Sequence, residues 1–445
     1  MMKPYSKMKD SGVEWIGEIP DHWKLVHLKR IVDEPLKYGA NEAADEEIKT
    51  NPRYLRITDF DKSGKLRNDT FKSLPPEVAK DYLLSEGDIL FARSGATVGK
   101  TFQFKDYKGE ACFAGYLIKA TTSKKVTSDY LYLYTKTGHY ESWKEGIFNQ
   151  ATIQNIGADK YNMLLVPVPP LPEQTRIVAF LDDKTSKIDE LIAKKERKIE
   201  LLKEQRKALI NQAVTKGLDP TVPMKDSGVE WIGEIPEHWE RAKLKFVTDL
   251  INDGTHGSFK RVDDGVRLLS VRNIIDGEFK TRIDDSKISV EDYLSITNSF
   301  KVEMNDIQLA IVGATLGKVG LVKEILEPFA TQRSVATIRA NHNKIDYRYL
   351  FYFINSTIFQ DYLWLNTGFS AQPGVYLGTL ENADIPLPPI QDQLEILEKL
   401  ESDLNEIDIV IKLESKKMEL LNEYRQALIS EVVTGKVDVS TYANN

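Results

Sequence analysis

The residues that most resemble a chemical motif form a glycine-bounded turn that occurs twice in the chain. The first copy, Gly95 to Thr101 (GATVGKT), is similar to the loop that cradles nucleotide phosphates in P-loop proteins. That loop needs four residues between its glycines, whereas three stand here, and Val319 follows Lys318 in the second copy where a hydroxyl would hold Mg²⁺. We therefore predict a tight strand-to-strand turn in which glycine supplies positive φ. Lys100 and Lys318 remain candidates for contacts with a DNA phosphate.

Histidine, cysteine and carboxylate side chains lack the spacing of known catalytic or metal sites. The six histidines do not pair at metal-ligand spacing, and His22 and His238, which stand beside tryptophans, are predicted to be structural. The single cysteine, Cys112, excludes an intramolecular disulfide and a cysteine-based zinc cluster, and its apolar neighbours predict a small core residue. No trusted nuclease-like carboxylate group, dinucleotide-binding glycine pattern or Asn-Pro-Pro-aromatic stretch of amino-methyltransferases is found. The sequence therefore favours a binding and scaffolding protein without catalytic residues or a metal site.

The chain contains an internal repeat with an offset of about 216 residues. Residues 8–23 and 224–239 match at fifteen of sixteen positions, sharing the segment KDSGVEWIGEIP. Weaker matches follow downstream, between GATVGK and GATLGK, between VPVPPLPEQ and IPLPPIQDQ, and between KIELLKEQRKALI and KMELLNEYRQALI. Side chains between these anchors diverge freely. The two halves are therefore predicted to share one architecture and to do one kind of work on different targets.

Each half begins with about 140 residues that contain short apolar runs bounded by glycine. These runs predict strands at Asp88–Arg93, Cys112–Lys119, Val266–Val271, Ile307–Val312 and Val335–Arg339, and helices at Tyr130–Tyr140 and Tyr347–Asn355. Two compact mixed α/β domains are expected. The predicted order is a repeated segment at 1–23, a mixed domain at 24–170, a long helix at 171–219, a second repeated segment at 220–239, a second mixed domain at 240–389, a second long helix at 390–435 and a tail at 436–445.

A long helix is predicted after each proline-rich run. The prolines of Val166–Pro170 force an extended approach, Pro172 and Glu173 suit the first helical turn, and no Pro or Gly follows until Gly217. The helix should span about 40 residues, or roughly 60 Å. Apolar residues fill most positions of a heptad repeat in both copies, namely Leu181, Thr185, Ile188, Ile192, Lys195, Ile199, Leu202, Arg206, Leu209 and Ala213, and Leu400, Leu404, Ile407, Ile411, Glu414, Met418, Leu421, Arg425, Leu428 and Val432.

A sustained heptad repeat requires a partner helix, and the other copy is the simplest one. A parallel pair would need a connection running back along the full helix, so antiparallel packing is favoured. The predicted fold class is α+β: two mixed α/β domains in a pseudo-twofold arrangement, separated by two long antiparallel coiled-coil helices.

Length and composition narrow the class of protein. The 445 residues suggest two to four domains, and 41% hydrophobic residues exclude disorder of the whole chain. The formal net charge of −7 argues against a surface coated in positive charge, although a local basic face is compatible with it. We see neither a signal peptide nor an uninterrupted apolar run of the ~20 residues that a membrane helix needs, so a cytoplasmic location is expected.

The paired KDSGVEWIGEIP segments, the P-x-P-P-x-x-x-Q helix starts and the LL-x-E-x-R-x-ALI helix bodies resemble the DNA-specificity subunits of type I restriction-modification systems. The resemblance spans essentially the whole chain. It implies two target-recognition domains, each reading one half of a split site in double-stranded DNA, with helices that set the spacing and dock two methyltransferase subunits. S-adenosylmethionine, ATP and Mg are expected on the methyltransferase and motor-nuclease restriction subunits, while this chain would bind no cofactor and catalyse nothing.

Base-reading residues are expected among the divergent polar side chains, because Arg suits guanine and Asn or Gln suits adenine. In the first domain the candidates are Arg56, Arg93, Gln150 and Gln154, and in the second they are Arg272, Asn273, Arg333 and Gln372. Arg206 and Arg425 occupy matching core positions of the two helices, where a charge is costly unless it is paired. They are either arginines that extend to water or anchors for a partner subunit.

Two other functions remain open on the sequence alone. A two-headed adaptor that binds proteins through its domains would also use a coiled-coil spacer, and an NTPase could be built on the GATVGK turn. DNA binding would weaken steeply with salt, which protein binding need not do. Unchanged function after substitution of both Lys100 and Lys318 by alanine would rule out the NTPase.

Overall fold

The computed structural model describes residues 3–43, 46–61, 64–95, 97–148, 155–368 and 373–442. The chain forms two compact units, one of Met1–Lys195 with Lys416–Asn445 and the other of Glu196–Ser415. Among the described residues, no helix combines the length and apolar character needed to cross a membrane.

The first unit combines short strands with short helices and a long helix. Its strands are β1 (Met8–Asp10), β2 (Glu18–Pro20), β3 (Lys24–His27), β4 (Lys37–Tyr38), β5 (Arg53–Leu55), β6 (Ile89–Ala92), β7 (Thr101–Gln103), β8 (Ala111–Phe113), β9 (Leu117–Ala120) and β10 (Leu165–Val168). Its helices are α1 (Pro76–Ala79), α2 (Ser128–Tyr134), α3 (Gly138–Phe148), α4 (Ala158–Asn162) and the long α5 (Leu171–Lys216), which continues into the second unit. A sheet of order β4-β9-β6-β7 forms its centre, and β5 pairs in parallel with β8.

The second unit repeats this plan with a larger sheet. Its strands are β11 (Met224–Asp226), β12 (Glu234–Pro236), β13 (Glu240–Lys243), β14 (Thr248–Asp253), β15 (Val266–Leu269), β16 (Ile274–Ile275), β17 (Glu278–Phe279), β18 (Lys287–Ile288), β19 (Ile307–Ala310), β20 (Val319–Leu321), β21 (Phe329–Thr331), β22 (Val335–Ala340) and β23 (Asp384–Leu387). Its helices are α6 (Leu244–Val247), α7 (Val290–Thr297), α8 (Tyr347–Asn355), α9 (Thr357–Leu365), α10 (Leu377–Glu381) and the long α11 (Ile390–Val433). The main sheet has the order β14-β22-β19-β20-β17-β16, and β15 pairs in parallel with β21.

The repeated segment folds in the same way in both units. β1 pairs with β2, and β11 pairs with β12, as short antiparallel hairpins. The connecting turns use the left-handed glycines Gly12, Gly17, Gly228 and Gly233. Behind each hairpin a tryptophan, Trp23 or Trp239, is completely or almost completely buried. The near-identity of the two segments is therefore explained by turn geometry and core packing.

Glu173 in the first turn of α5 holds the repeated segment of the first unit. This carboxylate is buried and accepts hydrogen bonds from Trp23 Nε1 at 3.0 Å, from the Tyr5 hydroxyl and from His22 Nε2 at 2.9 Å. Burial and the bond to Glu173 raise the pKa of the Tyr5 hydroxyl, which stays protonated as a donor. In the second unit Asp392 has one such partner, His238 Nε2 at 2.7 Å. Both histidines are structural, as the sequence predicts.

A buried glutamine fixes the start of each long helix. Gln174 donates to Pro169 O at 2.9 Å and to Lys125 O at 3.1 Å, and it accepts from Thr127 N at 2.8 Å. Gln393 makes the same three bonds in the second unit, with Pro388 O, Lys344 O and Asp346 N. Thr127 and Asp346 are the N-caps of α2 and α8. The glutamine therefore ties the long helix both to the proline-rich strand before it and to a helix of its domain.

The long helices confirm the predicted coiled-coil pattern. α5 has 46 residues and α11 has 44, so each is roughly 66–69 Å long. Within the second unit Lys198 pairs with Glu414 at 3.0 Å and Arg206 pairs with Asp408 at 3.2 Å, so the residue numbers rise along one helix as they fall along the other. The predicted heptad positions are buried or half-buried in both helices. The helix segments that pack together are therefore antiparallel.

Two predicted elements are each divided in the structure. The strand predicted at Cys112–Lys119 is two strands, β8 and β9, because the chain turns at residues 114–116. The helix predicted at Tyr130–Tyr140 is also two helices, α2 and α3, and Thr137 accepts a bond from Tyr140 N as the cap of the second. Cys112 is fully buried, as predicted, and burial raises the pKa of its thiol to about 12.

A glycine in each unit lets two backbone segments approach closely. A Cβ atom at Gly39 would lie 2.2 Å from Phe113 O and 2.4 Å from Ala114 O. A Cβ atom at Gly254 would lie 2.2 Å from Thr331 O and 2.5 Å from Gln332 O. Because these neighbours are backbone atoms, no side-chain movement can make room.

We predict that Glu173→Ala destabilises the repeated segment of the first unit by about 1–3 kcal/mol, because the buried indole of Trp23 loses its acceptor. Asp392→Ala is the matched control, and since its one ion pair is half exposed we expect a cost of under about 1 kcal/mol. Peptide-resolved hydrogen exchange over residues 3–27 and 220–243 measures both. Equal losses of protection in the two variants would contradict the role assigned to Glu173.

We also predict that Gly39→Ala and Gly254→Ala each destabilise their own unit by about 1–3 kcal/mol or more, because the added methyl group overlaps backbone oxygens. Gly146→Ala in α3 is the control, since nothing lies near the added methyl group and alanine favours helix. Thermal unfolding combined with hydrogen exchange of each unit checks the prediction. Wild-type protection in Gly39→Ala would show that the close approach is not required.

Candidate nucleic-acid interface

Parallel strand pairing brings distant polar segments to one end of each domain. β5 and β8 run in parallel, with Leu55 opposite Phe113, so the residues that follow them meet at the same edge. Ala114 N donates to Leu55 O at 3.0 Å across this edge. In the second unit β15 and β21 form the same pair, and Gln332 N donates to Leu269 O at 2.9 Å.

We call the segments that meet there the turn cluster. In the first unit it consists of residues 38–40, 56, 93–95, 114–116 and 155–158, and in the second of residues 253–255, 270, 311–313, 332–334 and 373–376. Backbone hydrogen bonds join the first set, from Gly115 N to Ala40 O at 2.6 Å, from Arg93 N to Tyr116 O at 2.9 Å and from Ile156 N to Arg93 O at 2.9 Å. The second set has matching bonds, from Arg333 N to Thr255 O at 3.1 Å, from Ile311 N to Ser334 O at 3.0 Å and from Val375 N to Ile311 O at 3.0 Å.

The GATVGK segment is a strand-to-strand turn, as predicted. It joins β6 to the antiparallel β7, and the second copy joins β19 to β20. Gly99 N donates a hydrogen bond to Ala92 O at 2.8 Å, and Gly317 N donates one to Ala310 O at 2.9 Å. Lys100 and Lys318 both end these turns with exposed side chains. Contact of these lysines with DNA phosphates stays a prediction.

Arg93 lies in the turn cluster of the first unit and stacks on an aromatic ring. Its guanidinium carbon is 4.8 Å from the centre of the Tyr38 ring, which is itself half exposed. Tyr116 beside it is 62% exposed, which is unusual for so large a side chain. Stacking of this kind holds an arginine in one orientation, and the Arg93 side chain is half exposed.

Arg56 also lies in the turn cluster, where it forms a two-bond pair with Asp59. Nε lies 3.0 Å from Oδ2 and Nη2 lies 2.9 Å from Oδ1, and Asp59 is completely buried. The hydrogen bond that it donates to Asp59 raises the pKa of the Arg56 guanidinium. The arginine is therefore charged and oriented, with one third of its side chain exposed.

The two polar candidates after β15 differ from each other. Asn273 is completely buried, and its amide bonds Asp285, Lys280 O and Ser270 N. It occupies the position of Asp59 and stabilises a turn, so its burial does not support the prediction that it reads a base. Arg272 is half exposed and pairs with Asp284 and Asp285 beside the cluster.

The remaining base-reading candidates are one arginine and three glutamines. Arg333 lies in the turn cluster of the second unit and is exposed, and its guanidinium has no hydrogen bond or ion pair within the described part of the chain. Gln150, Gln154 and Gln372 lie outside the described residues.

The helix arginines pair within the chain. Arg206 Nε lies 3.2 Å from Asp408 Oδ1, and Arg425 Nε lies 2.9 Å from Asp189 Oδ1. The two pairs occupy matching places, because each aspartate follows a core isoleucine, Ile407 or Ile188. Both arginines remain about one third exposed.

Sequence reasoning missed the cluster residues Tyr38, Tyr116, Asp253 and Ser334. A signal for the turn residues was present, since FAGY at 113–116 and TQRS at 331–334 differ in chemical class while the strands that follow, beginning LIKA and VATI, are both largely apolar. No three or more His, Cys, Asp or Glu side chains among the described positions are arranged to bind a metal ion.

The chain is similar to the family described as the type I restriction modification DNA specificity domain, and the match covers residues 20–201 and again residues 236–419. A specificity subunit of the type I restriction enzyme MjaVIII from Methanocaldococcus jannaschii is 28% identical over 429 residues, which are 95% of this chain and 94% of that protein.

Two solved structures share the fold at 15% sequence identity. One, from work on complex assembly and conformational transition of the type I R-M system, has a TM-score of 0.71 and covers 94% of this chain and 99% of its own. The other, the HsdS subunit from Thermoanaerobacter tengcongensis, has a TM-score of 0.53 and covers 94% and 98%. Because the family match covers well over half of the sequence in two copies, this chain belongs to the type I restriction modification DNA specificity family.

Proposed function

We propose that this chain is the sequence-specific DNA-binding subunit of a type I restriction-modification complex, in which each domain reads one half of a bipartite site. The observation that carries this proposal is the turn cluster. Two domains hold the same backbone arrangement at the same end, and the two arrangements present different side chains. A pair of equal frames with different contacts suits an asymmetric site with two half-sites.

Direct reading of bases requires donors and acceptors that reach the major groove. The first domain offers Arg56 and Arg93, and the second offers Arg333 and Arg272. Arginine reads guanine by two parallel bonds, so guanine is the base that these clusters are best equipped to select. Lys100 and Lys318 would contact phosphates and set the position of each domain on the duplex.

The long helices are proposed to set the distance between half-sites. Each is roughly 66–69 Å long, whereas one turn of DNA is about 34–36 Å. Part of each helix is packed against its domains, and the rest can separate contacts by one helical turn or more. The exposed faces of the same helices would dock two methyltransferase subunits.

Catalysis belongs to the partners in this proposal, since the chain is a recognition subunit. Methyltransferase subunits would bring S-adenosylmethionine, and restriction subunits would bring ATP and Mg for translocation and cleavage. We infer a cytoplasmic location, because a complex that binds and modifies DNA must have access to it there.

The proposal predicts a bipartite methylation pattern in cells that express this chain with its methyltransferase subunit. Sequencing that detects methylated adenine should return two short fixed half-sites separated by a constant gap. Replacement of residues 24–165 by the matching domain of another family member should change one half-site only. Methylation without a sequence pattern, in the presence of an active methyltransferase, would contradict the proposal.

Salt dependence separates this function from a protein-binding adaptor. Binding of the assembled methyltransferase complex to its site should weaken by roughly 10³–10⁵-fold between 50 and 200 mM salt if six to ten phosphates are contacted. Binding that does not change across this range would favour the adaptor.

We further propose that Arg206 and Arg425 contribute to docking through the part of each guanidinium that its aspartate leaves exposed. Exchange of the charges in Arg206→Asp with Asp408→Arg should keep stability within about 1 kcal/mol of wild type, because the ion pair is restored. Capture of the methyltransferase should weaken, because the positive charge has moved to the other helix.

The control exchanges Lys399 and Asp403, a pair one turn apart on α11. If capture of the methyltransferase is unchanged when the charges of Arg206 and Asp408 are exchanged, Arg206 only pairs within the chain and does not contribute to docking. Titration calorimetry with purified methyltransferase measures the difference.

A further inference from the structure

The turn clusters of the two domains can be compared position by position, because their backbones are bonded alike. Four hydrogen bonds occur in both units between equivalent residues: those to Leu55 O and Leu269 O, to Ala40 O and Thr255 O, to Tyr116 O and Ser334 O, and to Arg93 O and Ile311 O. All eight lie between 2.6 and 3.1 Å. Gly39 and Gly254 provide the same close approach beneath them.

We infer that the exposed positions of this shared frame are the specificity-determining positions of each domain. Four matched positions are half or fully exposed in both units, written with the first unit first: Tyr38 and Asp253, Arg56 and Ser270, Gly115 and Arg333, and Tyr116 and Ser334. At a fifth position Arg93 of the first unit is half exposed, whereas its counterpart Ile311 is buried in the core of the second unit. The inference deepens the proposed function, on which it rests, by naming the side chains that read bases.

The contrast between framing and exposed positions supports the inference. Residues that end two of the buried strands of the frame are the same in the two units, namely Leu55 and Leu269, and Ala92 and Ala310. At the five matched positions the side chain differs in chemical class between the first unit and the second. Tyr38 and Tyr116 are replaced by the acidic Asp253 and the hydroxyl of Ser334. Arg56 and Arg93 are replaced by Ser270 and the aliphatic Ile311, and Gly115, which has no side chain, is replaced by Arg333. Core packing restricts the buried positions much more than the exposed ones. The exposed positions can therefore carry different contacts in the two domains without a change of the frame, as residues that read different bases must.

The position of the arginine is the most informative exchange. In the first unit arginines stand at positions 56 and 93, and position 115 is a glycine without a side chain. In the second unit residues 270 and 311 are serine and isoleucine, and Arg333 occupies the place of Gly115. Each domain thus offers guanidinium groups to the same surface from different points of one frame. Because an arginine reads guanine through O6 and N7, the two domains should select guanine at different steps of their half-sites.

The neighbouring side chains complete the two surfaces. Tyr38 stacks against Arg93, and exposed Tyr116 adds a hydroxyl and a flat apolar face next to it. In the second unit Asp253 pairs with His256 at 2.7 Å, and Ser334 adds a small hydroxyl that can donate or accept. The first surface is aromatic and cationic, and the second is polar with both charges.

The test uses the chain assembled with its methyltransferase subunits, and it maps methylated adenine in cells. We expect Arg93→Ala to relax one position of the first half-site by about 10- to 100-fold in discrimination and to leave the second half-site unchanged. Arg333→Ala should do the reverse. The unaffected half-site is an internal control for folding in each variant.

Two matched sets strengthen the test. Arg93→Lys and Arg333→Lys keep the charge but lose the planar fork, and we expect the same relaxed position. Arg67→Ala and Arg241→Ala remove exposed arginines outside the cluster and should keep the wild-type site.

The outcomes separate this inference from the proposed function. A wild-type chain that yields no bipartite motif would contradict the proposed function itself. A wild-type bipartite motif that every cluster variant retains would overturn only the assignment of these positions. If a cluster variant loses methylation at all sites and has a lowered melting temperature, the substituted arginine is structural. That result would also overturn the assignment of these positions.

Discussion

The buried glutamine in the first turn of each long helix is the constraint on which the arrangement of each unit depends. Gln174 and Gln393 use both amide hydrogens and the carbonyl oxygen on three backbone groups in two separate segments. A fully buried amide must satisfy these bonds, so the helix can leave its domain in one direction only. A helix of roughly 66–69 Å acts as a lever, and small errors at its start would become large at its far end.

The same buried groups explain which parts of the repeat are fixed and which are variable. Trp23, Trp239, Glu173, Gln174 and Gln393 contact backbone or core, so a change at these positions would disturb the frame. The turn cluster has the opposite property, because its shape is set by backbone bonds and by Gly39 or Gly254. Its side chains extend from a frame that does not need them. A domain built in this way can change its contacts while its stability stays nearly constant.

The sequence predicted the long helices well, because a heptad repeat over more than 40 residues is a strong local signal. It also predicted the GATVGK turn, because glycine spacing determines local geometry. It did not reveal the parallel pairing of β5 with β8, whose strands lie far apart in the chain. That pairing brings Arg56 next to residues 114–116, and it also divides the strand that we had predicted as continuous. Asn273 illustrates the same limit, since its polar side chain gave no sign that Asp285 and the backbone use it completely.

The pairing of the cluster arginines bears on how a chain with a net charge of −7 would bind DNA. Arg56 and Arg272 are paired with carboxylates of their own domain, so they add little to a general attraction for phosphate. Pairing has a different benefit, because a guanidinium held by Asp59 or stacked on Tyr38 loses less conformational entropy when it binds. Fixed donors also discriminate better than mobile ones, since they cannot move to satisfy a wrong base. An arginine that is held in place and paired with a carboxylate therefore favours selectivity over affinity. Tight binding to DNA would then require the additional contacts of partner subunits.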